Sequence, residues 1–325
     1  MAIALPEVLR KSAFTAYLND PPDFSLFPPA DRTYTDFSFT YRLEPLKEDS
    51  NRHEHSCALT KAGDLLGRVY LLTRPPGVAL AEASLVVNGQ VVTRYDHHYQ
   101  AAVRETDARY DFGLPATVVP LEFWFCRDSR TALPLANLRG AQVEVRVVVA
   151  PGGAGGEGMQ LVCQYVNLTP VERALFEATT QLTIEQATTL RFPVVRRQRL
   201  VSAPLDVSLP VKELYWRVPG ARVKRARLSS CSQDLELDGR YSSVVRNWQY
   251  HSKSSSDPSF QGHCFSIYPE DPQPSGFLDA RELQDLVLAV ELEEEEGGGA
   301  EELVVVLVVY NQLFLSKSGW VRLLV

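Results

Sequence analysis

Short strand-patterned segments follow one another along nearly the whole chain, and only one stretch carries helix signals. Thr33–Leu43 alternates aromatic and polar residues with period two, the pattern of a half-buried strand. Arg68–Leu72, Ala83–Val87, Val91–Tyr95, Leu121–Cys126, Val143–Val149 and Met159–Val166 continue the series. Asn88-Gly89 between two of these runs predicts a tight type I′ hairpin, because both residues accept positive φ. The second half repeats the pattern at Thr179–Glu185, Leu205–Leu209, Glu213–Val218, Phe265–Tyr268, Leu286–Glu291 and Leu303–Tyr310. Two loops read as hairpin connections: Gly-rich 151–158, and acidic, Gly-rich 293–302. The helix signal is Thr169-Pro170, an N-cap followed by proline at the first helical position, with Glu172 three residues after the cap. Leu175, Phe176 and Ala178 supply its apolar face.

This inventory predicts an all-β chain. The strand count is about twice what one eight-stranded jelly roll needs, and the helix falls near the middle of 325 residues. Two consecutive eight-stranded jelly-roll β-sandwiches joined by a short linking helix are the economical solution. The expected limits are an N-terminal arm over 1–18 and a first jelly roll over 19–167. The linker helix and the opening of the second roll take 168–188, and the rest of the second roll 189–325.

Pro269-Glu270-Asp271-Pro272-Gln273-Pro274-Ser275-Gly276 is the most distinctive single string. Three prolines fix φ and remove donors, which forbids helix or central strand. Ser-Gly then closes a tight turn in which Gly276 supplies backbone freedom. The segment is expected to be a rigid corner between strands.

Composition narrows the function. A net charge of −7 argues against a dedicated nucleic-acid binder, which needs a basic footprint. The basic groups at 196–199 and Arg222–Arg227 read as a solvated face or a subunit contact. No apolar run is long enough for a membrane helix, and Met1–Arg10 is a poor signal peptide. Five widely spaced cysteines, an odd number, read as reduced core thiols of an intracellular protein.

The search for chemistry finds no catalytic constellation, no cofactor fingerprint and no metal site. His53, His55 and Cys57 share one side of a polar strand without a recognisable fourth ligand, so a solvated strand is the expectation. His97 and His98, if on a strand, point to opposite faces. His263-Cys264 reads as an edge histidine beside a core thiol.

The 269–276 string also resembles the "PE-x-x-QPSG" turn in the second jelly roll of the major capsid proteins of nucleocytoplasmic large DNA viruses. Further segments are similar to that family in its own order. Gly63–Leu71 (GDLLGRVYL) resembles its "GDL-x-x-x-x-YL" strand, and Pro120–Val145 its "PL-x-FWF" segment with the following "ALPL". Val166–Gln186 is similar to the family's linker, Leu209–Trp216 to "HPVKEL-x-W", and Val309–Leu313 with Ser318-Gly319 to its terminal motif. Only a few residues separate Tyr110 from Pro120, where family members often carry a long insertion.

The resemblance implies a structural protein, not an enzyme. Three copies would form a pseudo-hexagonal trimer that tiles an icosahedral shell, assembled in the host cytoplasm or nucleus. It gives the N-terminal arm the part of reaching toward minor capsid proteins or an inner membrane. No direct sequence-specific nucleic-acid contact is expected. Trp124, Arg127, Trp216, Pro272, Pro274 and Gly276 are the structural or interface candidates, with Trp216 expected in the core. Because Phe123, Trp124 and Phe125 cannot all face one core from a strand, one side of that strand should meet the neighbouring sandwich or another subunit. Two alternatives stay open: a minor or penton-like capsid paralog, and a carbohydrate-binding or glycan-processing sandwich using tyrosines such as Tyr95 and Tyr99.

Overall fold

The computed structural model describes residues 37–49, 54–73, 78–109, 113, 115–150, 158–178, 181–195, 198–231, 234–238, 245, 247–255, 257, 259–283, 285–293, 302–316 and 320–324. The expected N-terminal arm, 1–18, and His53 lie outside them.

The first half contains β1 (Phe37–Pro45), β2 (Lys47–Asp49), β3 (Glu54–Ala58), β4 (Leu65–Leu72), β5 (Leu80–Val87) and β6 (Gln90–Asp96). Helix α1 (His97–Thr106), β7 (Val118–Pro120), the helical turn α2 (Trp124–Arg127), β8 (Leu133–Pro134), β9 (Val143–Val149) and β10 (Gln160–Leu168) complete it. One sheet runs β1-β10-β4-β7 with β8 beside β4, and the other runs β2-β3-β9-β5-β6. Every recorded pairing is antiparallel. Val143, Val145, Val147 and Val149 of β9 alternate inward with half-exposed neighbours, the period-two signature of a sandwich wall. The β5–β6 turn has Asn88 at φ 50° and Gly89 at φ 83°, as a type I′ hairpin requires.

Helix α3 (Pro170–Ala178) follows. The Thr169 hydroxyl receives the Glu172 N–H at 3.4 Å and lies 3.3 Å from the Glu172 carboxylate, so the cap signal acts as expected.

The second half contains β11 (Gln181–Pro193), β12 (Leu200–Pro204), β13 (Pro210–Arg217), β14 (Val223–Ser229), β15 (Asp234–Asp238) and the helical turn α4 (Asn247–Tyr250). After it come β16 (Phe260–Cys264), β17 (Leu278–Asp279), β18 (Val287–Leu292), β19 (Glu302–Leu315) and β20 (Val321–Leu323). One sheet runs β11-β19-β13-β16, with β17 beside β13 and β20 beside β19; the other runs β12-β18-β14-β15.

Leaving aside β2, β8, β17 and β20, both halves obey one rule. Their first, eighth, third and sixth strands form one sheet, and their second, seventh, fourth and fifth the other. This is the jelly-roll topology, present twice.

Several local readings are corrected. Strands β9 and β10 lie in different sheets, and so do β18 and β19; the Gly-rich and acidic loops therefore join opposite walls of a sandwich and are not hairpins. Leu205–Leu209 and Phe265–Tyr268 are irregular, and the neighbouring strands end at Pro204 and Cys264. His97 and His98 open a helix, capped by Asp96, whose carboxylate accepts the His98 and Tyr99 N–H groups at 3.1 Å each. An Asp at the N-cap outweighed the strand pattern before it.

Strand β19 shows why one segment can be apolar throughout. Leu303, Val305, Leu307 and Val309 enter the core between the two sheets of the second sandwich. Val304, Val306 and Val308 belong instead to the cluster that continues into the first sandwich. Both faces are buried, so no polar alternation survives.

Candidate functional site at the seam between the sandwiches

The outer face of the β11-β19-β13-β16 sheet is the seam against the first sandwich. Strand β6 and helices α1 and α2 lie on it. Polar ties fix the register: Gln186 Nε2 donates to the Val92 carbonyl at 2.6 Å, and the Thr189 hydroxyl to Asp96 at 2.9 Å. At the far end the Lys253 N–H reaches the Thr106 carbonyl at 3.1 Å.

A charged node sits inside this seam. Lys212 is 1% exposed, yet its ammonium lies 2.6 Å from Glu185 and 3.8 Å from Glu213. It reaches the seam because a bulge in β13 inserts it between Val211 and Glu213 opposite β19. Arg127 joins from the first sandwich, 3.5 Å from Glu185 and 3.8 Å from Glu122, and donates to the Tyr99 hydroxyl at 2.7 Å. Tyr215 donates to Glu213 at 3.0 Å, with His251 Nε2 3.3 Å from the same hydroxyl.

Burial alone would discharge these groups, and their mutual arrangement decides otherwise. Desolvation works against the Lys212 ammonium, but Glu213 and Glu185 hold its pKa above the ordinary lysine value. Desolvation likewise works against the Glu213 carboxylate, and Lys212, with Arg127 and the Tyr215 hydroxyl, holds it below the ordinary range. His251 has no such surplus: burial lowers its pKa despite Glu213 and Glu270, so the imidazole is neutral at pH 7. The node is an ion-paired clasp between two sandwiches.

The candidate positions fall as follows. Trp124 is buried on α2 and shares a hollow with Arg127, Thr183, Lys212 and Tyr310 at the seam. The run Phe123-Trp124-Phe125 is not a strand: Phe123 is extended and the next residues form a helical turn, which lets all three bury. Trp216 is 1% exposed in the core of the second sandwich.

Pro272 is half-buried and Pro274 exposed in a turn closed by Ser275. The Ser275 hydroxyl receives the Tyr268 N–H at 2.8 Å and lies 2.6 Å from the Ser266 hydroxyl. Gly276 has φ 145°, and a Cβ there would stand 2.6 Å from the Phe265 carbonyl oxygen. Buried Pro269, with Pro272, lines the same hollow as Trp124.

Sequence reasoning missed Glu185, Lys212, Glu213 and His251. The one available signal was a lysine–glutamate pair inside an otherwise apolar strand.

Other expectations change with burial. His55 and Cys57 are buried on β3, not solvated, and burial reinforced by Glu44 pushes the Cys57 thiol up to about 11. Cys126 and Cys163 are also buried, Cys264 is half-buried and Cys231 exposed; all five cysteines are free thiols. Tyr95 and Tyr99 are 4% and 5% exposed, so neither presents a ring to a sugar. The basic stretch on β14 is exposed and partly paired: Lys224 and Arg225 share Glu291 at 2.8 and 2.6 Å, and Arg227 pairs with Glu236 at 2.7 Å.

Two groups bring three ligand-type atoms within 4.8 Å of one another: Asp96, His97 and His98; and Glu213, His251 and Cys264. Asp96 is engaged as a helix cap, and Glu213 by Tyr215 and Lys212. Among the described residues, no helix is long and apolar enough to cross a membrane.

Two jelly rolls clasped in one chain define the double jelly-roll class. No family model matches the chain. It is 24% identical to the major capsid protein of Pyramimonas orientalis virus, over 90% of this chain and 92% of that one. Its fold matches that of the PBCV-1 virus capsid with a TM-score of 0.75 at 17% identity, covering 93% of this chain and all of the other. The Faustovirus major capsid protein matches with a TM-score of 0.69 at 10% identity, over 90% and 93% of the two chains. The chain has the double jelly-roll fold and is similar to these capsid proteins along nearly its whole length.

Proposed function

We propose that three copies of this chain close into a pseudo-hexagonal capsomer of six sandwiches, and that capsomers tile an icosahedral shell. The observation that carries this reading is the seam. One sandwich lays its β6 edge and α1–α2 segment on the outer face of the next sandwich's β11-β19-β13-β16 sheet. A front-to-back contact between like modules either closes into a ring or grows as a filament. The equivalent outer face of the first sandwich, β1-β10-β4-β7, carries Phe37, Phe39, Tyr41 and Leu43 in an outward row, 44–60% exposed. Such a row is the apolar centre of an interface between chains.

In this reading Trp124 and Arg127 hold the internal seam, Trp216 fills the second core, and Pro272, Pro274 and Gly276 shape a contact corner. Further partners in this reading are minor capsid proteins or an inner membrane, met through residues 1–18, which lie outside the described residues. The protein works without catalysis, without a cofactor and without direct sequence-specific nucleic-acid contact. Sedimentation analysis with negative-stain imaging of the full chain tests it. Trimers of hexagonal outline are expected; a strictly monomeric species at high concentration would overturn it.

A further inference from the structure

The two sandwiches correspond beyond their strand order. In β13 the pairing with β19 shifts at Lys212, directly after Pro210 and Val211 pair with β17. In β4 the pairing with β10 shifts at Gly67 and Arg68, directly after Leu65 and Leu66 pair with β8. Each bulge carbonyl is met by a thiol: Cys264 Sγ lies 3.9 Å from the Lys212 oxygen, and Cys126 Sγ 3.8 Å from the Gly67 oxygen. These matches set β1 on β11, β4 on β13 and β10 on β19. They also set the connection that carries α2, between β7 and β8, on the Phe265–Phe277 connection between β16 and β17.

With that correspondence, a covered site on the second sandwich has an open twin on the first. The covered site has walls from Thr183 on β11, Lys212 on β13, Tyr310 on β19 and the Pro269–Pro272 turn. Trp124 and Arg127 of the first sandwich form its opposite wall. The twin is a surface hollow lined by Phe39 on β1, Arg68 on β4, Gln164 on β10, and Phe125 and Ser129 of the α2 connection. What covers the first site is the sixth-to-seventh-strand connection of the preceding sandwich. The matching element for the second is the same connection of a second sandwich, and it holds Ile267, Tyr268 and Phe277 out, 51–67% exposed.

We propose that the Phe265–Phe277 connection of one copy, led by Ile267 and Tyr268, seats in the hollow beside Phe39, Arg68 and Gln164 of the next copy. It repeats between chains the contact that α2 makes within one. The inference rests on the trimeric reading above and adds which surfaces meet.

The test uses the full chain with Tyr268 replaced by the photo-crosslinking residue p-benzoylphenylalanine, irradiated as the purified oligomer and mapped by mass spectrometry. An inter-chain adduct on residues 37–43 or 160–168 is expected. A trimer whose adducts fall elsewhere, or only within its own chain, overturns this contact and leaves the trimer standing. A chain that stays monomeric takes both down. As an independent readout, Phe39→Ser and Tyr268→Ser should each raise the trimer dissociation constant at least tenfold with the monomer's unfolding curve unmoved. An unchanged dissociation constant for both would overturn the contact.

Discussion

The outer faces of the two β1-type sheets have the same strand order and opposite surfaces. On the second sandwich the face shows Val304, Val306 and Val308, small branched residues covered by the first sandwich. On the first it shows Phe37, Phe39, Tyr41 and Leu43, large and exposed among the described residues. A face closed during folding can be packed tightly with stiff side chains. A face that waits for a partner carries broad side chains that bury much area when it arrives. On the trimeric reading proposed above, the inner seam and the contact between copies are one contact at two stages of assembly.

The largest expected effect tests whether the inner seam depends on its charged node. Lys212→Met should cost about 3–5 kcal/mol in denaturant unfolding, because Glu185 and Glu213 would be left buried without their cation. A loss under about 1 kcal/mol would mean that solvent reaches the node. Val306→Ala removes apolar contact without touching charge and should cost roughly 2 kcal/mol by the same assay.

Gly276→Ala bears on the corner and not the faces. Its added methyl meets the Phe265 carbonyl at positive φ, so a loss of roughly 1–2 kcal/mol is expected. Calorimetry showing no change would indicate that the turn relaxes.

Acid should loosen the inner seam before the outer sheets. The folded pKa of His251 is below its ordinary 6.5, so the unfolded chain takes up more protons and stability falls as pH drops below about 6.5. Glu213, also held below its ordinary value, adds a loss in the same direction at lower pH. His251→Gln should flatten the slope between about pH 6.5 and 5 in unfolding midpoints. The smallest effect is the control for the comparison: Phe39→Ala should leave monomer stability within about 0.5 kcal/mol.

Much of the fold was legible because its signals are local. The Asn88-Gly89 turn, the Thr169-Pro170 helix start and the valine alternation of β9 each depend on residues a few positions apart. The helical turn at Trp124 was missed because three bulky residues in a row fit a strand's composition, while their burial on all sides needs a curl. Asp96 was missed as a cap because the strand before it runs straight into the helix it opens.

By itself the sequence determined an all-β chain of two sandwiches around a central helix, since alternation, turn chemistry and capping act within a few residues. Which wall each strand joins depends on contacts between residues far apart in the chain. Loops 151–158 and 293–302 look like hairpins locally, but a sandwich pairs strands across the whole chain. The fold also decided that Lys212, Glu213, Glu185 and Arg127 share one buried node. Arg127 stands 58 positions before Glu185, and no local rule links them until one sandwich lies on the other.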